Sequence, residues 1–246
     1  MKPRICLLIP HTDYTTEPEV YRAVPNVNFH FVRMKLKRVT EEGLILMSQE
    51  LEKALDLVPE GMELVVYHCT SGSFVLSSEQ EREIVGRIED SGVKSFTTSM
   101  AVIEALRAVG IRRVAIASPY IDDLNVLLSR YVESSGIEVV NIEGLGLTDS
   151  KEIADYGLGK LFDFAKRADR AGAEGLFISC TGLRTLGIIK QLEDGLKKPV
   201  ISSNSATLWK ILKECSMCGV AGYGTLLSDY LPYTPPYSNS YHSPNL

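Results

Sequence analysis

The chain has 246 residues, 45% apolar and 23% charged, with a net charge of −5. That is the composition of a globular protein with core enough for two lobes, and the acidic balance argues against nucleic acid as a partner. No apolar run reaches the ~18 residues that span a bilayer, Met1-Lys-Pro-Arg4 leads into a strand-like run without a signal-peptide pattern, and five irregularly spaced cysteines suit free thiols in a reducing compartment. The expectation is a cytoplasmic protein without membrane contact.

Ile5–Ile9 is a continuous apolar run, as in a strand covered on both faces, and the polar loop Pro10–Glu17 lies at its carboxyl end. Val27–Arg33 reads as an outer strand. Leu44, Met47, Leu51 and Leu55 predict one helix, stopped by Pro59-Glu-Gly61. Leu64–His68 is the next strand. Ser78-Glu-Gln-Glu81 predicts a capping box for a helix that buries Ile84, Val85 and Ile88. Lys94–Phe96 is a short strand, and Ser99 is the expected cap of a helix closed by Gly110. The second half repeats the scheme. Strands are expected at Val114–Ala117, Glu138–Asn141, Leu176–Ser179 and Val200–Ser202. Helices are expected at about 121–132, 151–171 and 183–194, with a last one marked by Leu208, Ile211 and Leu212. Such alternation predicts parallel sheets with right-handed crossovers. Tyr230–Leu246 is rich in Pro, Tyr, Ser and Asn, and is expected to be disordered or to dock on a neighbouring subunit.

One stretch occurs twice. Glu63-Leu-Val-Val-Tyr-His-Cys69-Thr-Ser-Gly72 is echoed by Glu174-Gly-Leu-Phe-Ile-Ser-Cys180-Thr-Gly-Leu183. Each is a strand-length apolar run, then cysteine, hydroxyl residue and glycine. Arg4–Pro10 is likewise echoed by Arg113–Pro119, and Thr98-Ser99 by Ser203-Asn204. We therefore expect an α/β protein of two pseudo-symmetric lobes, each a parallel sheet flanked by helices, with the active site in the cleft between them. The first lobe is expected to comprise residues 1–97 plus about 205–246, and the second 98–204.

A cysteine between a buried strand and a helix sits where backbone N–H groups converge, which favours the thiolate and lowers its pKa below the free value of about 8.5. Thr70, Ser71, Ser73 and Thr181 supply donors for a substrate carboxylate or a developing enolate. Two thiols on opposite sides of one carbon can serve as base and acid, or as nucleophile and acid, and neither scheme needs a metal or organic cofactor. A free cysteine is more often only a small buried hydrophobe, and Cys6 inside a strand is read so. For Cys69 and Cys180 the recurrence of the surroundings favours function. Gly144-Leu-Gly146 lacks the third glycine of a dinucleotide fingerprint. Cys215-Ser-Met-Cys218 has metal-ligand spacing but no second pair. His11 and His68 are candidates to assist proton transfer, Arg184 to clamp a distal carboxylate, and the basic run Arg33–Arg38 reads as a solvated edge.

His68-Cys-Thr-Ser-Gly-Ser-Phe74 and Ser179-Cys-Thr-Gly-Leu-Arg-Thr185, with Pro199–Asn204 and Trp209, resemble the aspartate/glutamate racemase superfamily, in particular its maleate cis–trans isomerase and arylmalonate decarboxylase branch. The resemblance runs from about Ile5 to Leu227 and implies pseudo-twofold lobes with the last helix returning to the first. It implies Cys69 as nucleophile, Cys180 as proton donor, Thr70 and Ser71 as a carboxylate-binding nest, and Tyr120 as a further carboxylate ligand. Decarboxylases of the branch have glycine at the earlier cysteine position, so Cys69 points away from decarboxylation. The first loop departs from the isomerase pattern: Pro10-His-Thr-Asp13 replaces Pro-Ser-Ser-Asn, and an aspartate there repels a dianion unless it is protonated or turned away. Ser150 stands where the branch often has asparagine.

These observations predict a cofactor-independent isomerase of a small carboxylic acid. The alternatives are an amino-acid or hydantoin racemase working by proton exchange between the cysteines, and a non-catalytic small-acid binding protein. Thr70, Ser71, Tyr120, Thr181 and Asp13 are the expected substrate-binding residues, and a homo-oligomer is expected.

Overall fold

Two four-stranded sheets of the same strand order organise the chain. In the computed structural model, which describes residues 2–232, β1 (Arg4–Pro10), β2 (Asn28–Met34), β3 (Leu64–Tyr67) and β4 (Lys94–Thr97) pair as β2-β1-β3-β4. β5 (Arg113–Ser118), β6 (Glu138–Gly144), β7 (Gly175–Ile178) and β8 (Val200–Ser202) pair as β6-β5-β7-β8. Every pairing is parallel. The helices are α1 (Thr16–Ala23), α2 (Glu41–Ser48), α3 (Leu51–Leu55), α4 (Thr70–Phe74), α5 (Ser78–Glu89), α6 (Thr98–Ala108), α7 (Asp122–Ser134), α8 (Ser150–Ala154), α9 (Leu158–Ala168), α10 (Ile189–Leu196), α11 (Ser203–Glu214) and α12 (Thr225–Asp229). The central strands β1, β3, β5 and β7 are buried on both faces, which accounts for their unbroken apolar runs. Most of the tail lies outside the described residues. No described helix is long and apolar enough to cross a membrane.

The lobes meet along α6 and α11, the equivalent helices that follow β4 and β8. Thr207 Oγ1 donates to Thr98 Oγ1 at 3.3 Å, and Lys210 Nζ reaches Glu104 at 2.5 Å. A second tie crosses at Glu81 of α5, whose buried carboxylate accepts from Thr97 Oγ1 at 2.5 Å and from the Tyr131 hydroxyl of α7 at 3.0 Å. Lobe contact therefore runs through paired polar groups as well as apolar packing, as buried polar groups require.

Several local expectations change. The helix expected across Leu44–Leu55 is broken into α2 and α3, with Ser48 Oγ bonding back to Ile45 O. Its inward stripe of Leu44, Met47 and Leu51 is nevertheless buried. The helix expected at 151–171 is likewise divided: Asp149 caps α8, and Gly157 stands at the start of α9. The capping box lies one residue earlier than expected, between Ser77 and Gln80. Thr97 rather than Ser99 caps α6, because the chain enters the helix directly from β4; Ser99 bonds Ser73 and Thr70 O instead. The largest change follows Cys180. No helix starts near Leu183, and α10 begins only at Ile189. Cys180 has a φ of +100°, which turns the chain off a helical course.

Candidate active site

β3 and β7 occupy equivalent places beside β1 and β5, so their carboxyl ends open toward the same region between the sheets, where parallel α/β sheets hold ligands. There Cys69 and Cys180 line one cleft together with Asp13, Thr70, Ser71, Ser150 and Thr181. The cleft is narrow, with a cavity volume of about 30 Å³, room for ordered water. Leu36, Val39 and Ile153 give it aliphatic walls, and Val39 N–H donates across the lobes to Thr148 O at 2.9 Å.

The two cysteines are held differently. Cys69 is the N-cap of α4, and its Sγ accepts the Gly72 N–H at 3.3 Å and lies 3.9 Å from Ser71 Oγ. A Cβ at position 72 would meet Sγ at 3.0 Å and Met47 Cε at 2.6 Å, so any larger residue there displaces the Met47 methyl and crowds the sulfur. Cys180 is followed by a loop, and its own N–H donates to Ser203 Oγ at 3.0 Å. The same Ser203 oxygen accepts from Thr70 Oγ1 at 2.8 Å. One hydroxyl at the start of α11 thus joins both cysteine motifs.

Burial reverses the expected effect on the thiols. It pushes Cys69 up to about 11, against the pull of the Gly72 amide and the Ser71 hydroxyl. It pushes Cys180 up to about 12, against the Gly182 amide. A helix start as short as α4 does not outweigh desolvation, and Cys180 has no helix start at all. The thiols also bear on their surroundings: Cys69 adds to the rise of Cys180, and burial above all, with both thiols adding to it, raises the Tyr120 phenol. Tyr120 is fully buried and packs edge-on against Phe74, with Ser179 Oγ 3.4 Å from its hydroxyl. It stands beside the cysteines but not among the cleft-lining residues.

Asp13 lines the cleft with its carboxylate already engaged. Oδ1 accepts the Thr15 and Thr16 N–H groups at 2.8 Å each, and Oδ2 accepts the Thr16 hydroxyl at 2.7 Å. It is bonded into the first turn of α1, while burial raises its pKa. His68 does not line the cleft. Its ring is clamped between Thr16 Oγ1 and Thr98 Oγ1 at 3.1 Å each, and burial lowers its pKa to about 3, so it is neutral. His11 Nδ1 accepts the Leu36 N–H at 3.0 Å and so holds the segment that carries that wall residue. Arg184 is exposed and absent from the lining; Cys215 and Cys218 lie just beyond α11, remote from the cleft residues. Thr12, Leu36, Val39 and Ile153 were not singled out from the sequence. The only signal for Leu36 and Val39 was their apolar character, the one inside the basic run Arg33–Arg38 and the other just after it.

Comparison with known proteins places this geometry. The arylmalonate decarboxylase family model matches residues 5–227. Arylmalonate decarboxylase of Bordetella bronchiseptica is 30% identical over 233 residues, 92% of this chain and 97% of that protein. Maleate isomerase of Geobacillus stearothermophilus is 26% identical over 243 residues, again 92% and 97%. The structure of a maleate isomerase from Pseudomonas putida S16 with maleate superposes with a TM-score of 0.87 at 26% identity, covering 92% of this chain and 97% of that one. A liganded arylmalonate decarboxylase mutant, with glycine changed to cysteine and cysteine to serine, gives 0.86 at 29% identity, covering 92% and 98%. With its paired parallel sheets and two strand-end cysteines, the chain belongs to the arylmalonate decarboxylase family.

Proposed function

We propose that this enzyme isomerises a small unsaturated dicarboxylate of the maleate class about its double bond, using Cys69 and Cys180 and no cofactor. The observation that carries this is the meeting of both motif cysteines at one narrow cleft, whose other walls offer hydroxyls, amides and aliphatic surface. Relatives named maleate isomerase, and the similar structure with maleate, support it. So does the retention of a cysteine at position 69, since the resemblance implies glycine there in decarboxylases. Asp13 is committed to α1, which removes the motive for an amine-bearing substrate.

Among the described residues no cationic side chain lines the cleft, so carboxylate charge is met by amide and hydroxyl dipoles fixed in a dry site. Thr70, Ser71 and Thr181 are the carboxylate ligands in this scheme. Thr12 Oγ1, shielded from solvent and without a hydrogen-bond partner, is a further one. Cys69, with the Gly72 amide on its sulfur, is the nucleophile in this scheme, the role that the resemblance implies for it. Its thiolate adds to one alkene carbon while the Cys180 thiol protonates the other, so a C–S and a C–H bond replace the π bond. Rotation about the new single bond follows. The Cys180 thiolate then removes the proton, and elimination releases the Cys69 thiolate and the trans product. The cycle starts from the small fraction of enzyme whose Cys69 has lost its proton to solvent, and one thiolate and one thiol are then present at both start and finish.

Proton NMR in D2O with maleate tests this. Conversion to the trans acid is expected, and is to be abolished by Cys69→Ser and by Cys180→Ser. Unchanged turnover in both variants would end the two-cysteine scheme, and deuterium at the α-carbon of aspartate, glutamate or a hydantoin would assign racemisation instead. The free cysteines support a reducing, cytoplasmic setting, and size-exclusion chromatography would test the expected homo-oligomer.

A further inference from the structure

The loop from Thr181 to Ile188 carries Cys180 into the second lobe without helical support, yet most of it is buried. Groups outside the loop hold it. Glu19, on α1 of the other lobe, accepts the Leu186 N–H on Oε1 at 2.9 Å and the Asn204 side-chain amide on Oε2 at 2.8 Å. The same Asn204 Nδ2 donates to Thr181 O at 3.1 Å. Thr15 Oγ1, one turn before Glu19, donates to Gly182 O at 2.8 Å. Both ends of the loop therefore lead back to one carboxylate.

We infer that Glu19 is a positioning residue for Cys180: through Leu186 and Asn204 it fixes the loop that keeps the thiol in the cleft. This inference rests on the two-cysteine chemistry proposed above. Both groups that face Glu19 are N–H donors, and Asn204 could present its amide oxygen instead only by turning over and giving up Thr181 O. An ionised carboxylate satisfies both, whereas a protonated one turns an O–H toward an N–H and loses one of them. Burial lifts Glu19 to about 7, with Asp13 adding in the same direction and the Asn204, Leu186 and Thr185 donors opposing. The charged or titratable groups around the clasp are Asp13 before α1, Glu17 and Arg22 on α1, Arg184 on the loop, and neutral His68, which is paired with Asn204. The clasp is closed above pH 7 and opens below it.

Amide exchange by NMR, corrected for intrinsic rates, tests the inference without reference to turnover. In the wild type the protection of the Leu186 N–H is expected to fall about tenfold from pH 8 to pH 6, following the ionised fraction of one group. In Glu19→Gln, whose side chain offers one acceptor and one donor, protection at both pH values should equal the wild-type value at pH 6. For any acid that is turned over, the ratio of wild-type to Glu19→Gln rates should rise across pH 7 and level off near pH 8; a merely structural loss leaves that ratio flat. Taking the ratio cancels the pH dependence of the thiols. Wild-type protection in Glu19→Gln, or no change in the wild type between pH 6 and 8, overturns the inference. If Leu186 follows Glu19 but no acid is turned over, the positioning role stands and the proposed chemistry falls.

Discussion

Replacing Ser203 by alanine removes one oxygen and leaves two buried donors without an acceptor. These are the Thr70 hydroxyl, 2.8 Å away, and the Cys180 N–H, 3.0 Å away. Ser203 is fully buried, so water cannot reach these donors without local opening. A stranded buried donor costs about 1–3 kcal/mol. Alanine creates almost no cavity and, inside α11, has the better helix propensity, worth roughly half a kcal/mol. The net expectation is a loss of about 1.5–5.5 kcal/mol, read as a lowered urea midpoint at unchanged slope. Exchange of the Cys180 amide should speed up by on the order of a hundredfold, the factor that corresponds to about 2.7 kcal/mol if local opening reports the lost bond. A destabilisation below about 0.5 kcal/mol, the usual scatter of innocuous substitutions, would mean that Ser203 does not join the two motifs. So would a large destabilisation with unchanged Cys180 exchange, since the loss would then arise elsewhere.

Iodoacetamide should alkylate Cys69 and Cys180 more slowly than a free thiol at pH 7, with rates climbing about tenfold per pH unit toward pH 11; fast alkylation at pH 7 would contradict the burial of the thiols. The same shifts have a stability consequence. A thiol raised in the folded state above its unfolded value of 9.0 stabilises fully below pH 9, and that contribution is lost as pH climbs toward 11 and 12. Each such thiol should add a slope of about 1.4 kcal/mol per pH unit in that window, and Cys69→Ser should flatten the denaturation midpoint against pH. Gly72→Ala drives a methyl toward Met47 and Cys69 Sγ; a destabilisation of about 1–3 kcal/mol and loss of turnover on maleate are expected, and wild-type behaviour would refute the tight fit. Lys35, Lys37 and Arg38 border a cavity of about 450 Å³ outside the Leu36–Val39 wall and form no ion pair among the described residues. For a dianionic substrate, kcat/KM should fall about tenfold between low and high salt, and glutamines at all three positions should remove that dependence.

The repeated motif made the fold legible, because a strand period followed by cysteine, hydroxyl and glycine is local information. The strands and their equivalence between lobes followed from it. What the sequence concealed was set by contacts at long range. The cleft that buries both thiols is walled in part by Leu36 and Val39, from the connection after β2, and by Ile153 of α8, which look like ordinary apolar residues. Ser99 has the chemistry of a cap, but Thr97 took that place once β4 ran straight into α6. The helix expected from near Leu183 is absent until Ile189, beyond both Leu183 and Leu186. Those residues are indeed buried, but in a loop fixed by Glu19 and Asn204 rather than by helical bonds. Asp13 seemed a departure aimed at the ligand, and its role at the start of α1 depends on a turn that no residue pattern announced.

The backbone at Cys180 is of a kind that glycine adopts freely and any other residue at a penalty of about 1–2 kcal/mol. A selection for heat resistance alone would therefore drift toward glycine at that position and discard the sulfur. Efforts to harden this protein would have to hold residue 180 fixed and look for their gains elsewhere.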